Sequence, residues 1–122
     1  MTVNETTERL MHANLLEVFN ERDSQTRGAA IDRTYAEDVL WTDDEGVTVG
    51  RAALATKAGL LQQHLGDLQF RAAGPVQQTL GFGYLAWNLV NPADETVVSR
   101  GFDVALIAED RVTHLYTVLV ES

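Results

Sequence analysis

The sequence contains no cysteine. A disulfide framework, a thiolate metal site and a thiol nucleophile are therefore excluded, and stability must come from packing. Proline is scarce, with two residues, Pro75 and Pro92, each at a position that reads as a turn. Basic residues are few: 9 Lys+Arg stand against 18 Asp+Glu, for a formal charge of −9. That balance argues against a nucleic-acid partner, which needs a basic stripe, and against a polybasic membrane anchor. No apolar run approaches the ~18 residues of a transmembrane helix. Met1 to Arg9 is polar and mildly acidic, unlike a signal peptide. The cytoplasm is the expected compartment. The excess of Arg over Lys suggests a GC-rich bacterial genome by association. Asn4-Glu5-Thr6 is a glycosylation sequon only for a secreted eukaryotic chain.

What remains is ordinary globular material. The 122 residues fit one domain, 1–122, and a 45% hydrophobic content suffices for a core. There is no repeat or linker. Met11, Leu15, Val18 and Phe19 form one apolar face of a helix over about Thr6–Asn20, capped by Asn4 or Thr6. The polar run Arg22–Arg27 reads as a loop. A second helix is expected over about Gly28–Tyr35, with Ile31 and Tyr35 inward, and a strand at Val39–Thr42 ending in the turn Asp43-Asp44-Glu45-Gly46. Leu54, Ala58, Leu61 and Leu65 make the stripe of a third helix, Arg51–Leu65, stopped at Gly66. The period then changes to two. Strands are expected at 68–72, 76–79, 81–90, 96–108 and 111–120, the last two joined by a tight Glu109-Asp110 turn. Helices followed by an antiparallel meander give the α+β class.

Both faces of the two closing strands are mostly apolar. Val112, His114, Tyr116, Val118 and Val120 share one face of the last strand, and Thr113, Leu115, Thr117 and Leu119 the other. A sheet with one wet face alternates more cleanly, so one face is expected against the helices and the other against a second copy of the chain.

Catalytic signatures are sparse. His12, His64 and His114 form no short-spaced pair, so no metal site is expected. Gly81-Phe82-Gly83 reads as a bend within a strand. Asp103 stands out, lying mid-strand on a face shared with Ala105 and Ile107. A carboxylate there must be paired, hydrogen-bonded or protonated. It either faces a wet groove, pairs with Arg100 or Arg71, or has a raised pKa suited to acid–base work. Asp43 falls on the same side of its strand as Trp41 by period two, yet it also belongs to an ordinary solvated turn.

The run Tyr35-Ala36-Glu37-Asp38-Val39-Leu40-Trp41-Thr42-Asp43, the start Gly50-Arg51-Ala52-Ala53-Leu54, and the pieces Phe102-Asp103-Val104 and Arg111-Val112-Thr113-His114-Leu115-Tyr116 carry a resemblance. In their order and spacing they resemble the SnoaL-like branch of the nuclear transport factor 2-like superfamily, which includes polyketide cyclases and ketosteroid isomerases. The resemblance implies a cone-shaped, cystatin-like barrel, with three N-terminal helices on a curved, mostly antiparallel sheet. It implies an apolar pocket lined by Trp41, Leu85, Trp87, Leu89, Leu115, Thr117 and Leu119, with Leu15 and Phe19 from the first helix. It implies a homodimer through the outer sheet face of Tyr84, His114, Tyr116 and Val118.

Set against the ketosteroid isomerases, Asp43 falls at the general base and Asp103 at the protonated, hydrogen-bond-donating acid. The isomerases' oxyanion tyrosine falls at Leu15, which cannot donate, leaving His12 or Tyr35 as substitutes. Thr117 stands where the epoxide hydrolases of this fold carry an acid. The resemblance thus implies a cofactor-independent isomerase or cyclase that moves protons next to a carbonyl of a small apolar molecule. The alternative is a non-catalytic dimeric module that holds a hydrophobic ligand. A cavity of ~300 Å³ or more, with both carboxyls on its wall, separates the two.

Overall fold

The computed structural model describes residues 4–120. Helix α1 spans Glu5–His12 and is capped by Asn4, whose side chain accepts from the backbone N–H groups of Thr6 and Thr7. The helix does not continue as α. Residues Ala13–Val18 form a π-helical turn with wider i→i+5 spacing. That turn carries Asn14 inward together with Leu15 and Val18, all three buried. The α-spacing read from the sequence misses it.

Helix α2 covers Ser24–Thr34, starting four residues before the expected Gly28. The expected loop at 22–27 is corrected by a cap: the Asp23 carboxylate accepts from Thr26 N–H and Thr26 Oγ1, each at 2.8 Å. Helix α2 also ends earlier than expected. Tyr35 is its C-cap in extended geometry and opens strand β1, Tyr35–Asp43. The Arg51 side chain holds that junction by donating to the Tyr35 carbonyl from Nε and Nη2. Strand β2, Gly46–Val49, is new relative to the sequence reading and pairs antiparallel with β1 across the expected turn. Its four residues are mostly exposed, so no buried period announces it.

Helix α3 runs Arg51–Leu65, as the stripe predicts. The remaining strands are β3 Gln69–Ala72, β4 Gln77–Thr79, β5 Phe82–Asn91, β6 Thr96–Ala108 and β7 Arg111–Val120. The sheet order is β2-β1-β7-β6-β5-β3, with β4 also on β5. Among the described strands only β1 against β7 is parallel; the other pairs are antiparallel. The class is α+β, with three helices covering one face of a curved sheet.

A register shift between Leu106 and Ile107 corrects one expected face. Leu106 pairs with His114 but Ile107 pairs with Val112, leaving Thr113 as the extra residue. Val112 therefore turns into the core rather than joining the outer face. The core joins Leu10, Met11, Leu15 and Val18 to Ile31, Tyr35, Val39, Leu54, Leu85, Ala105 and Leu115, all 2% exposed or less. No described helix is long and apolar enough to cross a membrane.

Candidate functional site

The wide end of the sheet is not closed by the helices. A cleft of about 640 Å³ opens between the outer part of α3 and the strand ends. The stripe of α3 divides there. Leu54 and Ala58 are buried in the core, while Leu61 and Leu65 line the cleft with Leu60 and His64. At its inner end lies a chamber of about 30 Å³, room for one water-sized group. Trp41, Leu61, Phe70, Trp87 and Thr117 line both spaces, so the chamber is the floor of the cleft. Its walls are aromatic. Phe19 lies 5.0 Å from Trp41 and 6.5 Å from Phe70, and Phe70 packs edge-on against Trp87 at 5.0 Å, centroid to centroid.

Asp103 forms part of that floor. It is 3% exposed and belongs to β6, between Leu85 of β5 and Thr117 of β7. Three donors converge on its carboxyl. Asn14 Nδ2 donates to Oδ2 at 2.9 Å, while Thr117 Oγ1 and Trp87 Nε1 donate to Oδ1 at 3.0 and 3.3 Å. Behind Asn14, the Tyr35 hydroxyl donates to Asn14 Oδ1, which fixes the amide with its NH₂ towards the carboxyl. Trp41 Nε1 donates to Thr117 Oγ1 at 3.0 Å. Neither Arg100 nor Arg71 pairs with Asp103; Arg71 turns to Gln69 and Glu95.

The electrostatics follow from burial. Removing Asp103 from water raises its pKa from 3.8 to about 6, against the lowering pull of Thr117, Trp87 and Asn14. With that value the ionised form predominates at neutral pH, unlike the protonated donor that the isomerase comparison implies. The Tyr35 hydroxyl is pushed well above its usual value, by burial first and by the Asp103 charge second, so it remains a donor.

Asp43 lies elsewhere, at the cleft rim. Its Oδ2 meets Lys57 Nζ at 2.5 Å and its Oδ1 accepts the Glu45 N–H at 2.9 Å. Lys57 also sits 3.6 Å from Glu45 and 4.7 Å from the centre of the Trp41 ring. Asp43 lines the outer cleft and Asp103 the inner chamber, so the two carboxyls do not converge on one point.

The expected lining residues divide the same way. Leu15 and Phe19 line the chamber, Leu89 and Leu119 the cleft, and Trp41, Trp87 and Thr117 both. Tyr35, Leu85 and Leu115 are fully buried in the core and line neither space. Asn14, Lys57 and Phe70 escape the sequence reading. Only the π-turn reveals Asn14, whereas Leu61 was legible on its stripe. Among the described residues no group of three His, Asp or Glu is arranged to hold a metal ion.

No protein-family model and no curated protein matches the chain. Solved structures do. A SnoaL-like family protein from Agrobacterium tumefaciens, provisionally described as an isomerase, superposes with a TM-score of 0.88 at 22% identity, over 97% of this chain and 100% of that one. A Kribbella flavida protein provisionally described as a ketosteroid isomerase gives 0.67 at 20% identity, over 97% and 80%. A Jannaschia protein provisionally described as a SnoaL-like polyketide cyclase gives 0.73 at 10% identity, over 98% and 91%. The fold is that of the SnoaL-like, nuclear transport factor 2-like proteins, as the resemblance implies. At these identities the likeness concerns the fold, and chemistry must be argued from the site.

Proposed function

We propose that the chain binds a small, largely apolar carbonyl compound in the cleft and moves a proton next to the carbonyl, as an isomerase or cyclase does. The observation that carries this reading is Asp103, a carboxyl with a pKa of about 6 on the floor of an aromatic-walled cleft. A base with a pKa near the operating pH is ionised when needed and still able to return the proton. Asp103 takes the proton-transfer role in this reading. Asp43, paired with Lys57 at the rim, orients what enters. The descriptions of the similar structures as isomerases and a cyclase are consistent with it.

A second reading has its own observation. The chamber beside Asp103 holds only about 30 Å³, so a carbon atom reaches the carboxyl only if Phe19, Trp41, Phe70 or Trp87 gives way. If the aromatics stay shut, the cleft holds a hydrophobic ligand without turnover. Exchange of the α-protons of cyclohexanone in D₂O, followed by proton NMR, separates the readings. The enzyme reading predicts protein-accelerated exchange that falls by about 100-fold or more in Asp103→Asn. It predicts a smaller loss in Asp43→Asn. Binding of cyclohexanone without exchange supports the ligand-holding module.

We also propose that the functional unit is a homodimer through the outer sheet face. Tyr84, Phe102, Val104, Leu106, Tyr116 and Val118 are half-buried or exposed there. The one acidic residue on β5, β6 and β7 is Asp103, which points inward. On a chain of charge −9 this face is where two copies repel each other least. Sedimentation equilibrium should give twice the chain mass, and Tyr116→Glu should give the monomer.

A further inference from the structure

We propose that the Thr117 hydroxyl is the ligand-facing hydrogen-bonding group of the cleft, and that its polarity towards the ligand inverts with the proton on Asp103. The inference rests on the reading of the cleft as a ligand site and says how that site would meet a polar atom.

The argument is an accounting of one hydroxyl. A threonine oxygen has one proton to donate and two lone pairs. One lone pair is permanently engaged, because Trp41 Nε1 is a donor only and points at Thr117 Oγ1 at 3.0 Å. With Asp103 ionised, the Thr117 proton goes to Asp103 Oδ1 at 3.0 Å. The free valence of Thr117 is then a lone pair, and the cleft meets an acceptor.

With Asp103 protonated the accounting changes. Oδ2 already accepts from Asn14 Nδ2, and the Tyr35 hydroxyl donates to the other end of that amide. Oδ2 meets only that donor, whereas Oδ1 lies beside Thr117 Oγ1, a hydroxyl that can turn and accept, so the proton belongs on Oδ1, with Trp87 Nε1 on its other lone pair. From Oδ1 it can donate to Thr117 Oγ1. Both lone pairs of Thr117 are then filled, by Trp41 and by Asp103, and its own proton must turn away from them. Thr117 lines both the chamber and the outer cleft, so that proton faces the ligand. The same side chain is thus acceptor in one state and donor in the other.

Other ionisable groups lie around the pair. Tyr35 of β1 acts through Asn14 and keeps its proton. Asp43, Asp44 and Glu45 of the first hairpin, with Lys57 and His64 of α3, line the outer cleft. His64 lines the same cleft, so the test must remove its contribution. The device would supply the donor that a leucine at position 15 cannot: once Asp103 carries the proton, Thr117 can donate to a ligand oxygen.

Cyclohexanone is a suitable probe, since it is neutral and accepts hydrogen bonds without donating them. Its dissociation constant is measured at pH 5 and pH 8, on either side of the Asp103 pKa of about 6, for wild type, Thr117→Ser and Thr117→Val. Wild type and Thr117→Ser should bind about fivefold more tightly at pH 5, the scale of one hydrogen bond. Thr117→Val, of the same shape but without the hydroxyl, should bind equally at both. All three are compared on a His64→Asn background, which removes the rim imidazole, and Thr117→Ser controls for folding. Equal binding by wild type at the two pH values, or a fivefold ratio retained by Thr117→Val, overturns the inference while leaving the ligand site standing. Absence of binding at both pH values overturns the ligand site, and the inference with it.

Discussion

Gly101→Ala should destabilise the fold by about 3 kcal/mol or more, at the upper end of overpacking effects. Gly101 lies in β6, paired with Trp87 of β5 on one side and Leu119 of β7 on the other. A Cβ there would come well inside 3.0 Å of both the Trp87 ring and the Val118 carbonyl oxygen. The indole could swing aside, but the carbonyl is backbone and moves only if β7 moves. The missing side chain is what lets Trp87 lie across the strand and bring Nε1 to Asp103. Loss of stability should therefore be accompanied by a change in tryptophan fluorescence. Gly28→Ala is the control: it lies within α2 with nothing near its would-be Cβ, and should be neutral or stabilising by up to about 1 kcal/mol. Urea unfolding measures both. A Gly101→Ala protein as stable as wild type would contradict this packing.

Asp103→Asn should stabilise the protein at pH 8 and, under the proposed function, slow proton exchange by about 100-fold or more. The folded-state pKa of about 6 lies above the ordinary 3.8, so between these values the folded chain holds a proton that the unfolded chain has released. Stability from this group is therefore fully present below pH 4 and is lost as pH rises to about 6, remaining low above it. A shift of roughly two units corresponds to about 3 kcal/mol. The asparagine carries no charge to bury. Its NH₂ must face one of the donors now aimed at the carboxyl, which costs about 1 kcal/mol. The net gain at pH 8 is about 1–2 kcal/mol, and the Asp103-dependent slope between pH 4 and 6 disappears. Urea midpoints for the two proteins at pH 4 and pH 8 test this. An asparagine variant less stable than wild type at pH 8 would mean that the carboxylate is a net stabiliser.

Most of the scaffold was legible because its periods are strong. Helix α3 and strands β6 and β7 have the expected bounds, since the α3 stripe and the tight 109–110 turn leave little choice of register. The misses share a cause, namely tertiary contacts overriding local pattern. Arg51 bonds to the Tyr35 carbonyl and the chain leaves the helix at Tyr35 in extended geometry, which no local signal announces. Asp23 starts α2 inside a run that reads as loop. The bulge at Thr113 turns Val112 inward.

The site was half legible for the same reason. Asp103 was visible as a carboxylate in an apolar strand. Its partners were not, because Asn14 reaches it only through a π-turn, and Trp87 only across Gly101. Asp43 was visible by register with Trp41, but its ion pair depends on Lys57, across strand β2 and within α3. Charge pairing of that kind has no short-range signature.

The most direct test of the account is a carboxyl carbon-13 NMR titration of the wild-type protein, with Asp103→Asn to assign the resonance. The account predicts that Asp103 titrates near 6. Titration near the ordinary 3.8 would contradict it, because the carboxyl would then be solvated or fully compensated by its donors, and no base poised for neutral pH would stand at the floor of the cleft.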